Sequence, residues 1–303
     1  MSSVRLCLGT VQFGMRYGIN NQLGRQPSCE EAFEILDAAF DHGIRDLDTA
    51  SVYGNAEEIL GEYFDRRPGR REKLRIFSKL RPGVLTPTET DPYGVVCYEL
   101  EASLKRLHTN HLDGFLLHAA EDVYDQRLID ALRRLREEKL VERVGVSIYE
   151  LREGWAALDT AALNMIQLPY SIMDQRGIQE GLIQKAKQQG YSIATRSAFL
   201  QGLLQMEEAE IPGNLHAAIP YVREIKRILS SYHLDLSTAA LGFVKAEQDI
   251  DYLVFGAETR EVLLEDIEKF NAAELPVQCV NELKAQIDHV DESIILPSRW
   301  QKP

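Results

Sequence analysis

The chain is short of positive charge: its 303 residues hold 34 Lys and Arg against 47 Asp and Glu, a net charge of −13. Nucleic acids and anionic membranes are polyanions that require a basic surface, so both are excluded as expected partners. Cysteine is scarce and scattered. Cys7, Cys29, Cys97 and Cys279 form no C-x-x-C pair and have no neighbouring histidine, so neither a disulfide scaffold nor a metal cage is written here. The thiols are expected to be reduced and mostly buried, with no metal bound. No apolar run approaches the roughly 18 residues of a membrane span. The opening MSSVRLCLGTVQFG has one basic residue and a short apolar run from Leu6 to Leu8, which is not a secretory leader pattern. The phosphate-cradling patterns G-x-G-x-x-G and G-x-x-x-x-G-K-[ST] are also missing. A soluble cytoplasmic protein is the expectation.

What the chain has is alternation between short apolar runs and longer amphipathic segments. The runs cover residues 4–9, 44–49, 74–80, 112–118, 144–147, 164–168, 191–195 and 252–256. Helical patterns lie between them, at 29–42, 56–65, 93–107, 125–139, 151–158, 177–189, 219–232 with 237–246, and 261–271. Gly43 and Gly190 stand where a helix end favours a left-handed residue. No linker or low-complexity tract divides the chain, so residues 1–303 read as one domain. Eight strand-helix units with continuous apolar strands favour a closed α/β barrel, the (β/α)8 or TIM barrel, over an open sheet. The stretch 203–215, with QMEEAEIPGN in its middle, is expected to be an acidic mobile loop, and 81–92, with three prolines, another loop at the barrel mouth. The basic cluster Arg66, Arg67, Arg70, Arg71 and Lys73 reads as a solvated loop.

Barrel chemistry sits at the C-terminal strand ends, which selects Asp48 and Thr49, Lys79, His118, Ser147, Gln167, Arg196 and Gly256. These are polar residues directly after apolar runs, and Tyr53 shares a loop with Asp48. A phenol with a pKa of about 10 is a poor acid at neutral pH, and a nearby ammonium is expected to lower that value. Asp48 would pair with Lys79 and hold it, since an uncompensated buried charge is costly. His118 adds a donor or proton relay. Such a set suits carbonyl reduction, in which hydride arrives at carbon from a cofactor and the oxygen must be protonated.

These residues carry a resemblance. The segment DLDTASVYGNAEEILGEYF at 46–64 resembles the aldo-keto reductase signature, D-T-A-x-x-Y-G followed by an acidic residue and L-G. The resemblance continues in order through GTVQFG at 9–14, FSK ending at Lys79, LDGFLLH ending at His118, VGVS ending at Ser147 and QLPYS at 167–171. It implies a catalytic tetrad of Asp48, Tyr53, Lys79 and His118. In it Tyr53 is the general acid, Lys79 and Asp48 tune it, and His118 orients the carbonyl. It also implies an extended nicotinamide cofactor, with Gly9, Thr10 and Asp48 among the binding positions and Ser147 and Gln167 at the carboxamide. The pyrophosphate would lie along Ser197 to Leu204, through Ser197, Phe199, Gln201 and Gly202, with Arg196 a further cofactor-binding position just before it. The adenosine end would meet Gly256, Thr259, Arg260, Glu265 and Asp266.

The chain departs from the family pattern at informative places. Ile148 stands where Asn is usual, and Ala119 and Ala120 where Pro-Asp is usual. Arg196 replaces an aromatic that stacks on the nicotinamide. It is expected either to cover that ring or to meet an anionic group on cofactor or substrate, unless it pairs with a barrel-rim acid. The usual lysine for a 2′-phosphate falls on Gly256, leaving Arg260 as the nearby cation. The family's habit implies NADPH, with NADH as the alternative. A reductase of aldehydes or ketones is the leading expectation. A cofactor-binding regulatory protein with little turnover, motivated by Ile148 and Arg196, is a second. A phosphate-binding isomerase or lyase on the same barrel is a third. Glu57 and Glu58 open a helix, where negative charge suits the dipole. Trp155 and Trp300 read as packing residues.

Overall fold

The computed structural model describes residues 4–300; the outermost residues of the expected domain, 1–3 and 301–303, lie outside that range. Eight parallel strands, β1 (Arg5–Gly9), β2 (Asp46–Asp48), β3 (Arg75–Leu80), β4 (Leu112–Leu117), β5 (Val141–Ser147), β6 (Met165–Pro169), β7 (Ser192–Arg196) and β8 (Tyr252–Gly256), pair in chain order and close through β8 and β1 into a barrel. Helices interleave with them, as the alternating sequence pattern requires.

The register explains how so short a set of strands builds a site. Side chains alternate between the two faces of a strand, and one parity runs around the whole barrel. Gly9 pairs with Asp48, Asp48 with Phe77, Lys79 with Leu116, Ser147 with Gln167, and Gln167 with Ala194. These residues point inward, while Leu47, Ile76, Val146 and Ile166 join the apolar layer under the helices. The barrel interior is stacked in levels. Asp46 holds Arg75 at the lower end, at 2.5 and 2.7 Å. Cys7, Phe77, Leu116, Met165, Ala194 and Tyr252 fill the middle. Asp48 and Lys79 occupy the top.

Local chemistry fixes several helix starts. Ser28 and Glu31 form a capping box on Cys29–Asp41, and Asp91, Asp235 and Thr259 cap the helices that follow them. The expected helix at 177–189 is two pieces, Arg176–Gln179 and Leu182–Gln188, because Gly181 between them adopts φ +77°. Val277–Gln286 is a further helix, buried through Cys279, Val280 and Leu283. The 203–215 stretch is a series of tight 3-10 turns rather than a free loop, since Leu203, Leu204, Met206, Ile211 and Leu215 are all buried. The basic cluster is likewise tied down. Arg67 binds Asp37 at 2.8 Å, Arg70 lies over the Phe40 ring, and Arg71 donates to Thr109 and the Leu74 carbonyl. All four cysteines are free; Cys7 and Cys279 are buried and Cys29 and Cys97 half-buried.

Candidate active site

The inward parity brings Asp48 and Lys79 together at the top of the barrel. Lys79 Nζ donates to Asp48 Oδ1 at 2.7 Å and to the Thr49 carbonyl at 2.9 Å, and both side chains are almost wholly buried. The other Asp48 oxygen accepts from Gln167 Nε2 at 2.7 Å, and Gln167 Oε1 accepts from Ser147 Oγ at 3.1 Å. Thr10 secures the Asp48 backbone, its N–H and hydroxyl both donating to the Asp48 carbonyl. Lys79 Nζ lies 5.1 Å from the centre of the Tyr53 ring. His118 meets that ring edge-on, with centroids 5.5 Å apart. The four residues implied as the tetrad therefore form one cluster.

Tyr53 is delivered by a turn that glycine alone permits. A Cβ at Gly14 would stand 1.6 Å from the Tyr53 carbonyl oxygen, and one at Gly54, itself at φ +56°, would stand 2.1 Å from the Gly14 carbonyl oxygen. The helix Val11–Gly14 and the Tyr53 loop thus touch through backbone. The GTVQFG and VYG segments serve one contact.

The Tyr53 pKa moves in the opposite direction to the sequence expectation. Burial raises the Tyr53 pKa above its ordinary value; Lys79 pulls it down but does not overcome burial. The phenol is therefore neutral in the resting protein, and the lysine acts by receiving the phenolate once the proton has left. Burial opposes the charge on Lys79, yet Asp48 and Tyr53 outweigh it and keep the ammonium protonated. His118 is held down to about 3, by burial first and then by Lys79 and Arg196, so it is a neutral imidazole. Its Nδ1 is buried without a hydrogen-bond partner.

A cavity of about 310 Å³ runs from Asp48, Tyr53 and Gln167 to the face of helix Arg260–Ala272 that carries Val262, Glu265, Asp266 and Lys269. Gly9, Arg196, Ser197, Phe199, Gln201, Gly202, Gly256, Glu265 and Asp266 line it. Thr10 and Ser147 stand behind it in the buried network just described. Thr259 caps the helix through its hydroxyl at 3.2 Å. Arg260 is elsewhere, in a surface groove with Glu34, Asp37 and Asp41. The cation at that end of the cavity is Lys269, paired with Glu265 at 2.5 Å. Sequence reading passed over Lys269, Gln12, Tyr17 and Glu258. The signal for Lys269 was its spacing of four residues from Glu265 on one helix face.

Two observations test whether this cavity fits a dinucleotide. Gln12 Oε1 is buried and accepts no hydrogen bond, and a buried acceptor of that kind calls for a donor such as a ribose hydroxyl. Gly256 lets that amide approach, since a Cβ there would lie 2.2 Å from Gln12 Oε1. The residues present fit the group.

Asp266, 4% exposed, is pushed up to about 7, chiefly by burial and then by Glu265 and Glu258 against the pull of Lys269. A carboxyl whose folded pKa exceeds its unfolded value penalises folding once it must ionise. That penalty is nil below about pH 4, grows as pH rises toward 7 and is constant above. Asp266→Asn is expected to match the wild type near pH 4 and to be more stable by about 2–4 kcal/mol at pH 8. Denaturant melts at the two pH values check this; equal differences at both would count against it.

Comparison with known proteins agrees with the fold and shows the family. The sequence model of the Aldo/keto reductase family matches residues 5–288. YqkF of Bacillus subtilis, an uncharacterized oxidoreductase, is 26% identical over 87% of this chain and 89% of its own length. The NADH-specific methylglyoxal reductase of Escherichia coli is 24% identical over 88% and 90%. The match to the oxidoreductase YrpG of B. subtilis is higher, 36%, but spans only 38% of this chain and 36% of that protein. Among solved structures, an aldo-keto reductase of Bacillus halodurans in its holo form superposes with a TM-score of 0.75 over 98% of this chain and 95% of its own, at 19% identity, a likeness of fold.

Proposed function

The chain belongs to the aldo/keto reductase family, and from that premise we propose that it reduces an aldehyde or ketone to the alcohol, with residues 1–303 acting as one catalytic domain in the cytoplasm. The observation that carries this reading is the buried Asp48–Lys79 pair set against the Tyr53 ring. A reduced nicotinamide, when bound, supplies the hydride to the carbonyl carbon. Everything else comes from the chain. The substrate oxygen, oriented by neutral His118, takes the phenolic proton of Tyr53, and the Lys79 ammonium stabilises the phenolate left behind. Asp48 fixes that ammonium, and Gln167 and Thr10 fix Asp48. Single-turnover oxidation of bound reduced cofactor by a panel of aldehydes tests the reading. Tight cofactor binding with no turnover on any of them would leave the regulatory alternative in its place.

The charge at the adenosine end supports NADH over the NADPH that the family's habit implied. Glu258, Glu265 and Asp266 line it, Lys269 is already engaged by Glu265, and Arg260 faces away. Gln12 offers an acceptor, which suits a ribose 2′-hydroxyl and not a phosphate dianion. The similar E. coli enzyme is NADH-specific by its name. Fluorescence titration is expected to give a Kd for NADH ~10-fold or more below that for NADPH. Tighter NADPH binding would reverse the assignment.

A further inference from the structure

Arg196 ends β7, yet its side chain reaches over the neighbouring end of β6 to the residue that follows β5. Nη2 donates to the Ile148 carbonyl at 2.8 Å, and the guanidinium carbon lies 4.2 Å from the centre of the Tyr149 ring. Nη1 has only a long contact, 3.4 Å, to Ser197 Oγ. Among the described residues Arg196 has no carboxylate partner, so the rim-acid pairing considered from the sequence is not made. This holds in a protein with 47 acidic residues. Ile148, at the position where the family has Asn, is wholly buried and turns its backbone oxygen to this arginine.

The pocket's charge follows. Lys79 is neutralised by Asp48, His118 is neutral, and Arg196 remains as the unmatched cation beside the reacting phenol. A half-buried guanidinium held by one carbonyl and one aromatic face keeps donors in a fixed plane, the arrangement that receives carboxylate or phosphate oxygens. The anchor is on the β5 side, next to Tyr149. The Ser197–Leu204 turns, implied as the pyrophosphate segment, run the other way, with Gln201 accepting from the Ile19 N–H. The position of the charge favours the substrate over the cofactor.

We propose that the carbonyl substrate carries an anionic group, a carboxylate or phosphate, received by Arg196 while its carbonyl oxygen faces Tyr53. This rests on the carbonyl-reduction reading, and the test separates the two. Matched probes are glyoxylate against acetaldehyde and glyceraldehyde 3-phosphate against glyceraldehyde. The wild type is expected to prefer the charged member of at least one pair in kcat/KM. Arg196→Met should cut that preference by about 10- to 100-fold, mainly through KM, with Arg196→Lys recovering part of it. A second readout needs no turnover: oxamate and inorganic phosphate are titrated into the NADH-bound protein, and the change in cofactor fluorescence should be lost in Arg196→Met. An unchanged preference in Arg196→Met overturns the proposal. So does weakened NADH binding with equal losses on charged and neutral probes, which assigns the charge to the cofactor. If no probe is reduced but oxamate or phosphate still binds through Arg196, the anion site stands and the reductase reading falls.

Discussion

Replacing Tyr53 with Phe is expected to lower kcat by about 10²–10⁴-fold while the Kd of the reduced cofactor stays nearly unchanged. The hydroxyl is the sole group removed. The ring that packs against His118 and over Lys79 remains, so neither the fold nor the cavity is altered. Loss of the acid acts on a transition state in which negative charge builds on the carbonyl oxygen, so kcat and kcat/KM should fall together. Steady-state kinetics with a fluorescence titration of the cofactor measures both quantities. Turnover equal to the wild type would remove Tyr53 from the chemistry.

Asp48→Ala should cost about 3–5 kcal/mol of stability and abolish turnover at once, because it strands the Lys79 ammonium, 1% exposed, without its 2.7 Å partner. It also frees Gln167, which donates to the same carboxylate. Combining Asp48→Leu with Lys79→Met separates the two effects. A buried pair replaced by apolar residues of similar volume is often neutral in stability, so the double variant should melt close to the wild type and remain inactive. Thermal melts and single-turnover assays decide it. If the double variant is as unstable as Asp48→Ala, the ion pair is not the source of the loss.

Much of the barrel was legible because strand residues obey a period of two and the polar exceptions fall at strand ends. Asp48, Lys79, Ser147 and Gln167 interrupt apolar runs at one level, and the structure shows them in one inward layer. Residues whose direction depends on how a helix or turn is rotated were not legible. Arg260 and Lys269 sit on the same helix, and sequence proximity favoured the first, yet the second faces the cavity. Gln12 was hidden in a four-residue helix too short to show a period. The direction of the tyrosine's pKa shift was misjudged because a lysine is visible in sequence and the depth of burial is not. The stretch at 203–215 looked mobile from its acidic residues, but Leu203, Leu204, Met206, Ile211 and Leu215 on either side of them are buried by a series of tight turns.

The dry middle of the barrel bears on how the site is reset after each turnover. Cys7, Phe77, Leu116, Met165 and Tyr252 separate the Asp48–Lys79 level from the Asp46–Arg75 level below, each of them at most 1% exposed. That plug is mostly hydrocarbon, whereas Tyr53 lines the cavity that opens at the mouth. In the proposed reaction the phenol is recharged from the mouth, through the same opening that would admit the carbonyl and release the alcohol, so proton resupply and product exit would share one route. A solvent isotope effect in this protein would then report on departure from the mouth as well as on the transfer itself.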